Sequence, residues 1–269
     1  MAPRSRSNAP SLEAAGHGFA DLAGRAILPY FRRRISVDNK LGQAGFDPVT
    51  AADRAGERVI RKAIVDKFPD HGIIGEEYPE KRGAGRYTWV LDPIDGTRAF
   101  ITGNPLWGTL IGLLEEGQPI LGFMDQPYTR ERFWGNGSRA SLRDATGKVK
   151  KLKTRACASL GDASLGSTHP DLFSTRADAA AFSRLTKAVR LTRYGGDCYG
   201  YCLVAAGCVD LVVEVGLKPH DIAALIPIIE GAGGLVTTWE GRSAAGGGRI
   251  IAAGDARVHA EAVAVLRGG

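Results

Sequence analysis

Hydrophobic residues near the start of the chain recur at helical spacing. They predict an amphipathic helix over residues 11–34, whose apolar face carries Leu12, Phe19, Leu22, Ile27 and Phe31. A second helix is predicted to begin at Thr50, because Asp53 three residues later completes a capping-box pattern. The sequence FPDHG, residues 68–72, is predicted to end this helix.

After the second helix the apolar residues follow strand-like patterns. Strands are predicted in GIIGEE, YTWVLD, WGTLIGLL, ILGFMDQP and RERFWG, with a hairpin turn at EEGQP. From residue 162 onward, strands and helices alternate. The strand patterns there are DASLGS, VRLTR, VDLVVEV, GLVTTW and RIIAAG, and the helical patterns span residues 175–188, 198–206, 221–231 and 256–266.

This order of elements predicts an α+β or α/β fold in which two sheets are layered with helices. The boundary between the two halves is predicted in the polar, lysine-rich stretch 146–155. Residues 1–150 would then form an α+β part, and residues 151–269 an α/β part.

The composition is that of a globular protein, since 44% of the 269 residues are hydrophobic. No apolar run approaches the ~20 residues that cross a bilayer. The first ten residues, MAPRSRSNAP, lack the apolar region of a secretory signal, although a transit peptide is an alternative for this basic segment. We therefore expect a soluble, cytoplasmic protein with no membrane partner.

The charge favours small anionic substrates. The net charge is +6 and the isoelectric point is about 9.2, which helps to attract phosphate esters. A nucleic-acid-binding surface would need a basic stripe with interleaved aromatic residues, and only the sequence FRRR is dense in cations. We expect no nucleic-acid partner.

Acidic residues stand at the end of a predicted strand or the start of a predicted helix in four places. They are Asp53 in TAAD, Glu76 and Glu77 in GEE, Asp92 and Asp95 in DPID, and Asp221 in HD. Acids that a fold gathers without a cation are costly, and Mg²⁺ prefers such oxygen ligands. The pattern predicts a divalent-cation site if the fold brings these acids together. The alternative is that Asp92 and Asp95 cap a turn and that GEE is a surface loop.

The sequence DPIDGT is suited to a metal and a phosphate together. Its proline restricts the backbone, so that Asp92 and Asp95 can converge with the carbonyl group of Ile94 between them. Gly96 lets the backbone approach a phosphate, and a helix that begins at Thr97 would favour an anion. Phosphatases of the haloacid-dehalogenase type carry D-x-D-G-T instead. The spacing here is one residue longer, which disfavours an aspartyl-phosphate mechanism.

Four ordered motifs resemble those of the inositol monophosphatase superfamily of Mg²⁺-dependent, lithium-sensitive phosphatases. The motifs are DPVTAAD (47–53), GEE (75–77), WVLDPIDGTRAF (89–100) and HDIAALIPIIEGAGG (220–234). The resemblance covers nearly the whole chain. It implies a layered αβαβα sandwich of the inositol monophosphatase and fructose-1,6-bisphosphatase type. It also implies two or three Mg²⁺ ions per site and a homodimer.

The resemblance further implies which residues hold the metals. Glu76, Asp92 and the carbonyl group of Ile94 would bind the first ion. Asp92, Asp95 and Asp221 would bind the second, and Glu76 would assist a weaker third. Asp95 and Asp221 would also face the substrate.

The reacting water and the phosphate have their own implied ligands. Thr97, hydrogen-bonded to Asp53, would orient the attacking water, with Glu76 completing the catalytic set. The N–H groups of Gly96 and Thr97 would bind the phosphate. No covalent intermediate is needed in this scheme.

The chain departs from the family pattern in two places. His220 precedes the last acidic ligand where many members carry tryptophan, and we interpret it as a ring packed beside the site, a metal ligand being the alternative. Pro227 lies inside the predicted helix 221–231, where a kink or a shortened first turn is expected. Lys40 is either a family-type lysine on a loop near the metals or a solvated lysine.

The substrate is predicted from the segment YGGDCYGYCLVAAGCVDLVVEVGLKPHD, residues 194–221. Inositol-type members resemble GTAA where this chain has GGDC, so Asp197 replaces a small neutral residue, and Glu214 ends a nearby predicted strand. Two carboxylates beyond the metal ligands call for a cation, which histidinol phosphate supplies and a neutral polyol does not. This segment resembles the histidinol-phosphatase branch, as do FRRRISVDNK, SVDNKLGQAGFDPVT and TGNPLWGTLIGLL. Asp197 could instead be the N-cap of the following helix.

Two alternatives to a histidinol-phosphatase remain. One is a phosphatase for inositol 1-phosphate or another small sugar or nucleotide phosphate. The other is an inactive relative that acts as a binding or regulatory protein, which the retention of all the expected metal ligands disfavours.

Overall fold

The computed structural model describes residues 9–34, 36–39 and 48–268. Its helices are α1 Ala9–Ile27, α2 Ala51–Lys67, α3 Thr97–Ile101, α4 Arg176–Ala188, α5 Asp197–Ala205, α6 Pro219–Ile222, α7 Leu225–Gly231 and α8 Ala256–Arg267. Its strands are β1 Val37–Asn39, β2 Pro48–Thr50, β3 Gly72–Gly75, β4 Tyr87–Asp95, β5 Gly108–Glu115, β6 Gln118–Gln126, β7 Glu131–Gly135, β8 Ala140–Arg143, β9 Val149–Lys151, β10 Ser164–Ser167, β11 Leu191–Tyr194, β12 Leu211–Leu217, β13 Leu235–Thr238 and β14 Gly248–Ala253.

The strands form two large sheets and one short pair, β1–β2. The first large sheet has the order β3-β4-β5-β6-β7-β8-β9, in which only β3 and β4 are parallel neighbours. The second has the order β11-β10-β12-β14-β13, with β10 parallel to both of its neighbours.

Apolar side chains place the helices in three layers around these sheets. Helices α1 and α2 pack on one face of the first sheet, around Trp89. Helices α5 and α7 lie between the two sheets, where Ile228 joins a shared core. Helices α4 and α8 cover the outer face of the second sheet, around Val213. The order helix, sheet, helix, sheet, helix confirms the predicted αβαβα sandwich.

The first two helices agree with the sequence pattern except at one end. Helix α1 ends at Ile27, not at Arg34, and a short 3-10 helix, Leu28–Tyr30, follows it. The physical reason is Pro29, which has no N–H group to donate and restricts the residue before it. Helix α2 begins with the predicted capping box, in which the Thr50 N–H group donates to Oδ2 of Asp53 at 2.8 Å.

The strand predictions missed four short strands, β1, β2, β8 and β9. Strand β9 carries Val149–Lys151 within the lysine-rich stretch, so part of this stretch is the seventh strand of the first sheet. Its three side chains are exposed, so the strand has no alternation of buried and exposed residues by which hydrophobic periodicity could predict it. The division of the chain at residue 150 stays a prediction.

The helix predicted over 221–231 is broken, as Pro227 indicated. It consists of α6, which ends at Ile222, and α7, which begins at Leu225. Pro227 then lies in the first turn of α7, where a missing N–H group costs no intrahelical bond. Among the described helices, none combines the length and the apolar character that a membrane span requires.

Candidate active site

Strand β4 ends in an irregular segment that carries two acids. Asp92 pairs with Leu110 of β5 and Asp95 with Gly108, and the register shifts between these two pairs. Oδ1 of Asp92 accepts the Ile94 N–H group at 3.0 Å, which turns the backbone back toward this carboxylate. The two acids therefore converge, as the DPIDGT spacing predicted.

The third acid of the cluster comes from the other half of the chain. Asp221 lies on α6, and its Oδ2 accepts the Lys218 N–H group at 2.7 Å. Carboxylate oxygens of Asp92, Asp95 and Asp221 all lie within 4.8 Å of one another. His220 lies beside them, with Nε2 3.4 Å from Oδ1 of Asp221, and its side chain is 11% exposed.

These three carboxylates have an unfavourable electrostatic environment without a cation. Burial raises the pKa of Asp92 well above its usual value, and the nearby Glu76 and Asp95 raise it further. Burial also raises the pKa of Asp95, with Asp197 and Asp221 adding to the effect. Within the described ranges, no lysine or arginine forms an ion pair with Asp92 or Asp95. Oxygen ligands at this separation are those that a hard divalent cation takes.

Glu76 lies next to the cluster on the loop after β3. Its N–H group donates to the Leu91 carbonyl group at 3.2 Å, and its charge is the largest electrostatic cause of the raised pKa of Asp92. The loop is held by Glu57, a fully buried acid of α2, whose oxygens accept the N–H groups of Glu77 at 2.8 Å and Tyr78 at 3.3 Å.

Glycine at position 75 makes this support possible. A Cβ atom there would lie 2.0 Å from Oε1 of Glu57. Glu57 also accepts Nε of Arg61 at 2.6 Å, one helical turn along α2. Sequence reasoning missed Glu57, because an i,i+4 pair of Glu and Arg has the pattern of an ordinary surface ion pair.

The expected hydrogen bond between Thr97 and Asp53 is absent from the structure. The Thr97 hydroxyl donates instead to the Ile94 carbonyl group at 3.1 Å, and Oδ2 of Asp53 accepts the Thr50 hydroxyl at 2.6 Å. Thr97 is the first residue of α3, and its hydroxyl faces the end of β4. Asp53 already accepts the hydrogen bonds of its own capping box. The other oxygen of Asp53 is buried without a hydrogen-bond partner among the described residues. Burial raises the pKa of Asp53 to about 6.

Gly96 joins the metal cluster to the second part of the site. It is the N-cap of α3 with φ +85°, a left-handed conformation that favours glycine. A Cβ atom at this position would lie 3.2 Å from Cβ and Cγ of Asp197. The backbone of Gly96 and the side chain of Asp197 are therefore in close contact.

A cavity of about 180 Å³ extends from the cluster of Asp92, Asp95 and Asp221 into the second half of the chain. Four carboxylates line it: Asp95, Asp197, Glu214 and Asp221. Apolar contacts come from the 3-10 helix Pro170–Leu172 and the end of β12. No lysine, arginine or histidine of the described residues lines this cavity.

Thr168 connects the two carboxylates of this cavity that lie outside the metal cluster. Its N–H group donates to Oε1 of Glu214 at 2.7 Å, and its hydroxyl interacts with both Asp197 and Glu214. The Tyr201 hydroxyl donates to Oε2 of Glu214 at 3.1 Å. Sequence reasoning gave no role to Thr168 or to Tyr201, although Tyr201 lies in the segment used to predict the substrate, because both reach the site only through tertiary packing.

The alternative in which Asp197 is the N-cap of the following helix was wrong. Asp197 is not the N-cap of α5, which is Gly196; Asp197 is the first helical residue, with φ +42°. Neither acid is unpaired, since Thr168 serves both and the positive charge of Arg98 also acts on Asp197. Burial nevertheless raises the pKa of Asp197 to about 6 and that of Glu214 to about 7. Lys40 lies outside the described residues.

Comparisons with known proteins agree with this fold. The model of the inositol monophosphatase family matches residues 10–267. The chain therefore belongs to the inositol monophosphatase family, and the sequence resemblance is confirmed. It is a phosphatase of that family.

Three relatives show how close the similarity is. The chain is 43% identical over 265 residues to the chloroplastic bifunctional phosphatase IMPL2 of Arabidopsis thaliana. The aligned region covers 94% of this chain and 74% of the relative. It is 36% identical over 225 residues to a histidinol-phosphatase of Chlorobaculum parvum, covering 83% and 84%. A solved inositol monophosphatase from Zymomonas mobilis superposes with a TM-score of 0.85 at 41% identity, covering 97% of this chain and 100% of that one.

Proposed function

We propose that this protein is a Mg²⁺-dependent phosphomonoesterase that hydrolyses L-histidinol phosphate to L-histidinol and phosphate. The observation that carries the proposal is the cavity shared by the metal cluster and by Asp197 and Glu214, which no described basic residue lines. Such a cavity suits a substrate with a phosphate at one end and a cation at the other. Histidinol phosphate has an ammonium group and an imidazole that is partly protonated near neutral pH.

The residues fit two or three Mg²⁺ ions. Glu76, Asp92 and the Ile94 carbonyl group would hold one ion, and Asp92, Asp95 and Asp221 a second, with Glu76 near a third. When bound, the metals would lower the pKa of a water molecule and stabilise the charge on the leaving oxygen.

The remaining steps are assigned to this chain's own groups. The N–H groups of Gly96 and Thr97, at the start of α3, would hold the phosphate. The Thr97 hydroxyl and the unpartnered oxygen of Asp53 would orient the attacking water. Asp197 and Glu214 would bind the cationic end of the substrate. Thr168, which hydrogen-bonds to both carboxylates, holds them in position.

The names of the relatives support this substrate. A histidinol-phosphatase is among the proteins that cover most of this chain at 36% identity. Inositol 1-phosphate, or another sugar or nucleotide phosphate, is the second candidate substrate. Both the family and the Zymomonas mobilis structure are named inositol monophosphatase.

A panel of substrates tests the proposal. Phosphate release is measured with Mg²⁺ on histidinol phosphate, inositol 1-phosphate and a nucleotide 3′-phosphate. We expect histidinol phosphate to have the highest kcat/KM. In Asp197→Asn this value should fall at least tenfold, about the loss of one charge-assisted contact, while inositol 1-phosphate changes little.

The matched control is Asp171→Asn, because Asp171 is an exposed acid next to the cavity wall. An unchanged rate for histidinol phosphate in Asp197→Asn would refute the substrate assignment. No phosphate release from any ester would favour the inactive relative. We also propose a homodimer, which rests on the family resemblance and is tested by light scattering.

A further inference from the structure

A second polar cavity lies between α1 and strands β6, β7 and β8. Its volume is about 230 Å³, and its charged lining consists of Arg25, Arg130, Arg132, Arg143, Asp21 and Asp125. Four guanidinium groups against two carboxylates leave a net positive charge. The proposed phosphatase reaction uses none of these residues.

Strand register brings three of these side chains to one face of the sheet. Asp125 of β6 pairs with Arg132 of β7, and Arg132 pairs with Arg143 of β8. Residues that are direct partners in neighbouring strands point to the same side. That side faces α1, because Arg132 bonds to Asp21 of α1.

This face is opposite the catalytic one. Met124, the neighbour of Asp125, packs in the core between the sheets together with Ile222, which follows the ligand Asp221. Side chains of consecutive strand residues point to opposite faces. The arginine-lined cavity is therefore separated from the metal cluster by the sheet itself.

Arg132 forms a rigid floor to the cavity. Its side chain is 2% exposed, Nε donates to Asp125 at 2.6 Å and Nη2 to Asp21 at 2.6 Å. Nη1 also donates to the His17 carbonyl group at 3.0 Å. Both aspartates of the cavity are thus already paired with this one arginine.

The other three arginines keep their charge available. Within the described part of the chain, no carboxylate forms an ion pair with Arg25, Arg130 or Arg143. The pKa of His17 is lowered, first by burial and then by the charges of Arg132 and Arg143, which agrees with a positive local potential. Glycine at position 24 lets α1 pack closely against Pro127, since a Cβ atom there would lie 3.0 Å from Cβ of Pro127.

We propose that this cavity binds a small phosphate-bearing anion at a site distinct from the catalytic centre. Guanidinium groups match phosphate oxygens with paired N–H donors, and a lysine or a single cation would not provide this fork. Arg130 and Arg143 are the contacts to the anion, above the fixed Arg132. The charge excess of the cavity matches a dianion.

The test is a calorimetric titration of inorganic phosphate into the metal-free protein at low salt. Without metal the acidic catalytic cavity repels phosphate, so one saturable site is expected. Arg143→Gln and Arg130→Gln should each weaken binding about fivefold or more, since each removes a charge-assisted contact. Arg190→Gln, an exposed arginine in the turn before β11, is the matched control and should bind as the parent does.

Two results would overturn the proposal. One is the absence of phosphate binding to the parent protein. The other is binding that Arg143→Gln and Arg130→Gln leave unchanged, which would place the anion elsewhere. Thermal melting of each variant checks folding, which should be preserved because no described residue forms a hydrogen bond or an ion pair with either side chain. The titration needs no turnover, so its outcome is independent of the proposed phosphatase substrate.

Discussion

The N–H group of Cys198 donates to Oδ2 of Asp95 at 2.6 Å, across 103 positions of the sequence. This bond attaches the first turn of α5 to the end of β4, and the helix N-terminus favours the charged form of the carboxylate. The same turn carries Asp197, whose side chain lies against Gly96. Helix α5, which orients the proposed metal ligand Asp95, thus also presents the carboxylate that we assign to the substrate.

The first prediction concerns the metal cluster. Asp92→Asn should reduce turnover at least about a hundredfold on every substrate, because it removes the carboxylate placed between both proposed ions. Phosphate release with saturating Mg²⁺ is the measurement. Asp66→Asn, an exposed acid of α2, is the control and should retain full activity. Activity retained in Asp92→Asn would show that the metal assignment is wrong.

The second prediction concerns the loop that carries Glu76. Glu57→Gln removes the charge that holds the N–H groups of Glu77 and Tyr78, so the loop should lose its fixed position. We expect the Mg²⁺ concentration for half-maximal activity to rise about tenfold, with much of the rate restored at high Mg²⁺.

The control for this loop is Glu80→Gln, which changes an exposed acid a few residues further on. The same Mg²⁺ requirement in Glu57→Gln and in the parent would contradict a positioning role for Glu57.

The third prediction separates backbone conformation from close contact. Gly96 and Gly117 have nearly the same φ, +85° and +81°, but only Gly96 has atoms near its virtual Cβ. Gly117→Ala should lose about 1 kcal/mol of unfolding free energy from the left-handed conformation alone. Gly96→Ala should lose more, and its activity should fall as Asp197 is displaced. Equal losses of stability, measured by urea unfolding, together with normal activity in Gly96→Ala would rule out the contact as a functional one.

The fourth prediction is a pH dependence of the metal-free protein. The pKa of Asp197 is raised from 3.8 to about 6, so the folded state favours the protonated form. The resulting stabilisation is present below about pH 4 and is lost as the pH rises through about 6. The parent should therefore lose about 1–3 kcal/mol of stability relative to Asp197→Asn between about pH 5 and pH 8.

Urea unfolding in the presence of a chelator measures this difference. The comparison with Asp197→Asn cancels the titrating groups on which Asp197 does not act, while Asp95 and Glu214, whose pKa values the charge of Asp197 raises, contribute to the difference in the same direction. Mg²⁺ added at about pH 8 should stabilise the parent, because it binds the folded state. If the difference in unfolding free energy between the parent and Asp197→Asn did not change with pH, the pKa of Asp197 would not be raised in the folded state.

Much of the fold could be predicted from local patterns. The capping box of α2, the hairpin between β5 and β6, and the break at Pro227 each depend on a few neighbouring residues. The strand β9 escaped prediction because its side chains are exposed. The early end of α1 was missed because the apolar spacing continues past Pro29 to Phe31, which is still buried.

The residues of the candidate site also fall into those that local sequence predicts and those that it does not. The DPIDGT turn acts through adjacent residues, so the convergence of Asp92 and Asp95 was predictable. The bond from the Glu77 N–H group to Glu57, which supports the loop that carries Glu76, spans 20 positions, and the bond from Thr168 to Glu214 spans 46. Both depend on strand register and helix packing. The hydroxyl of Thr97 was assigned the wrong partner, because it donates to the nearby Ile94 carbonyl group and Asp53 accepts the Thr50 hydroxyl within its own capping box.

What the amino-acid sequence determined by itself was the family, the order of the elements and the acids at the end of β4, because short-range spacing and turn chemistry encode them. The tertiary structure alone decided that Asp221 meets these acids and that Asp197 and Glu214 share one cavity with them. The tertiary structure alone also brought Arg130, Arg132 and Arg143 together beneath α1. Those arrangements depend on which residues the two sheets place opposite one another, and this pairing has no local signature in the chain.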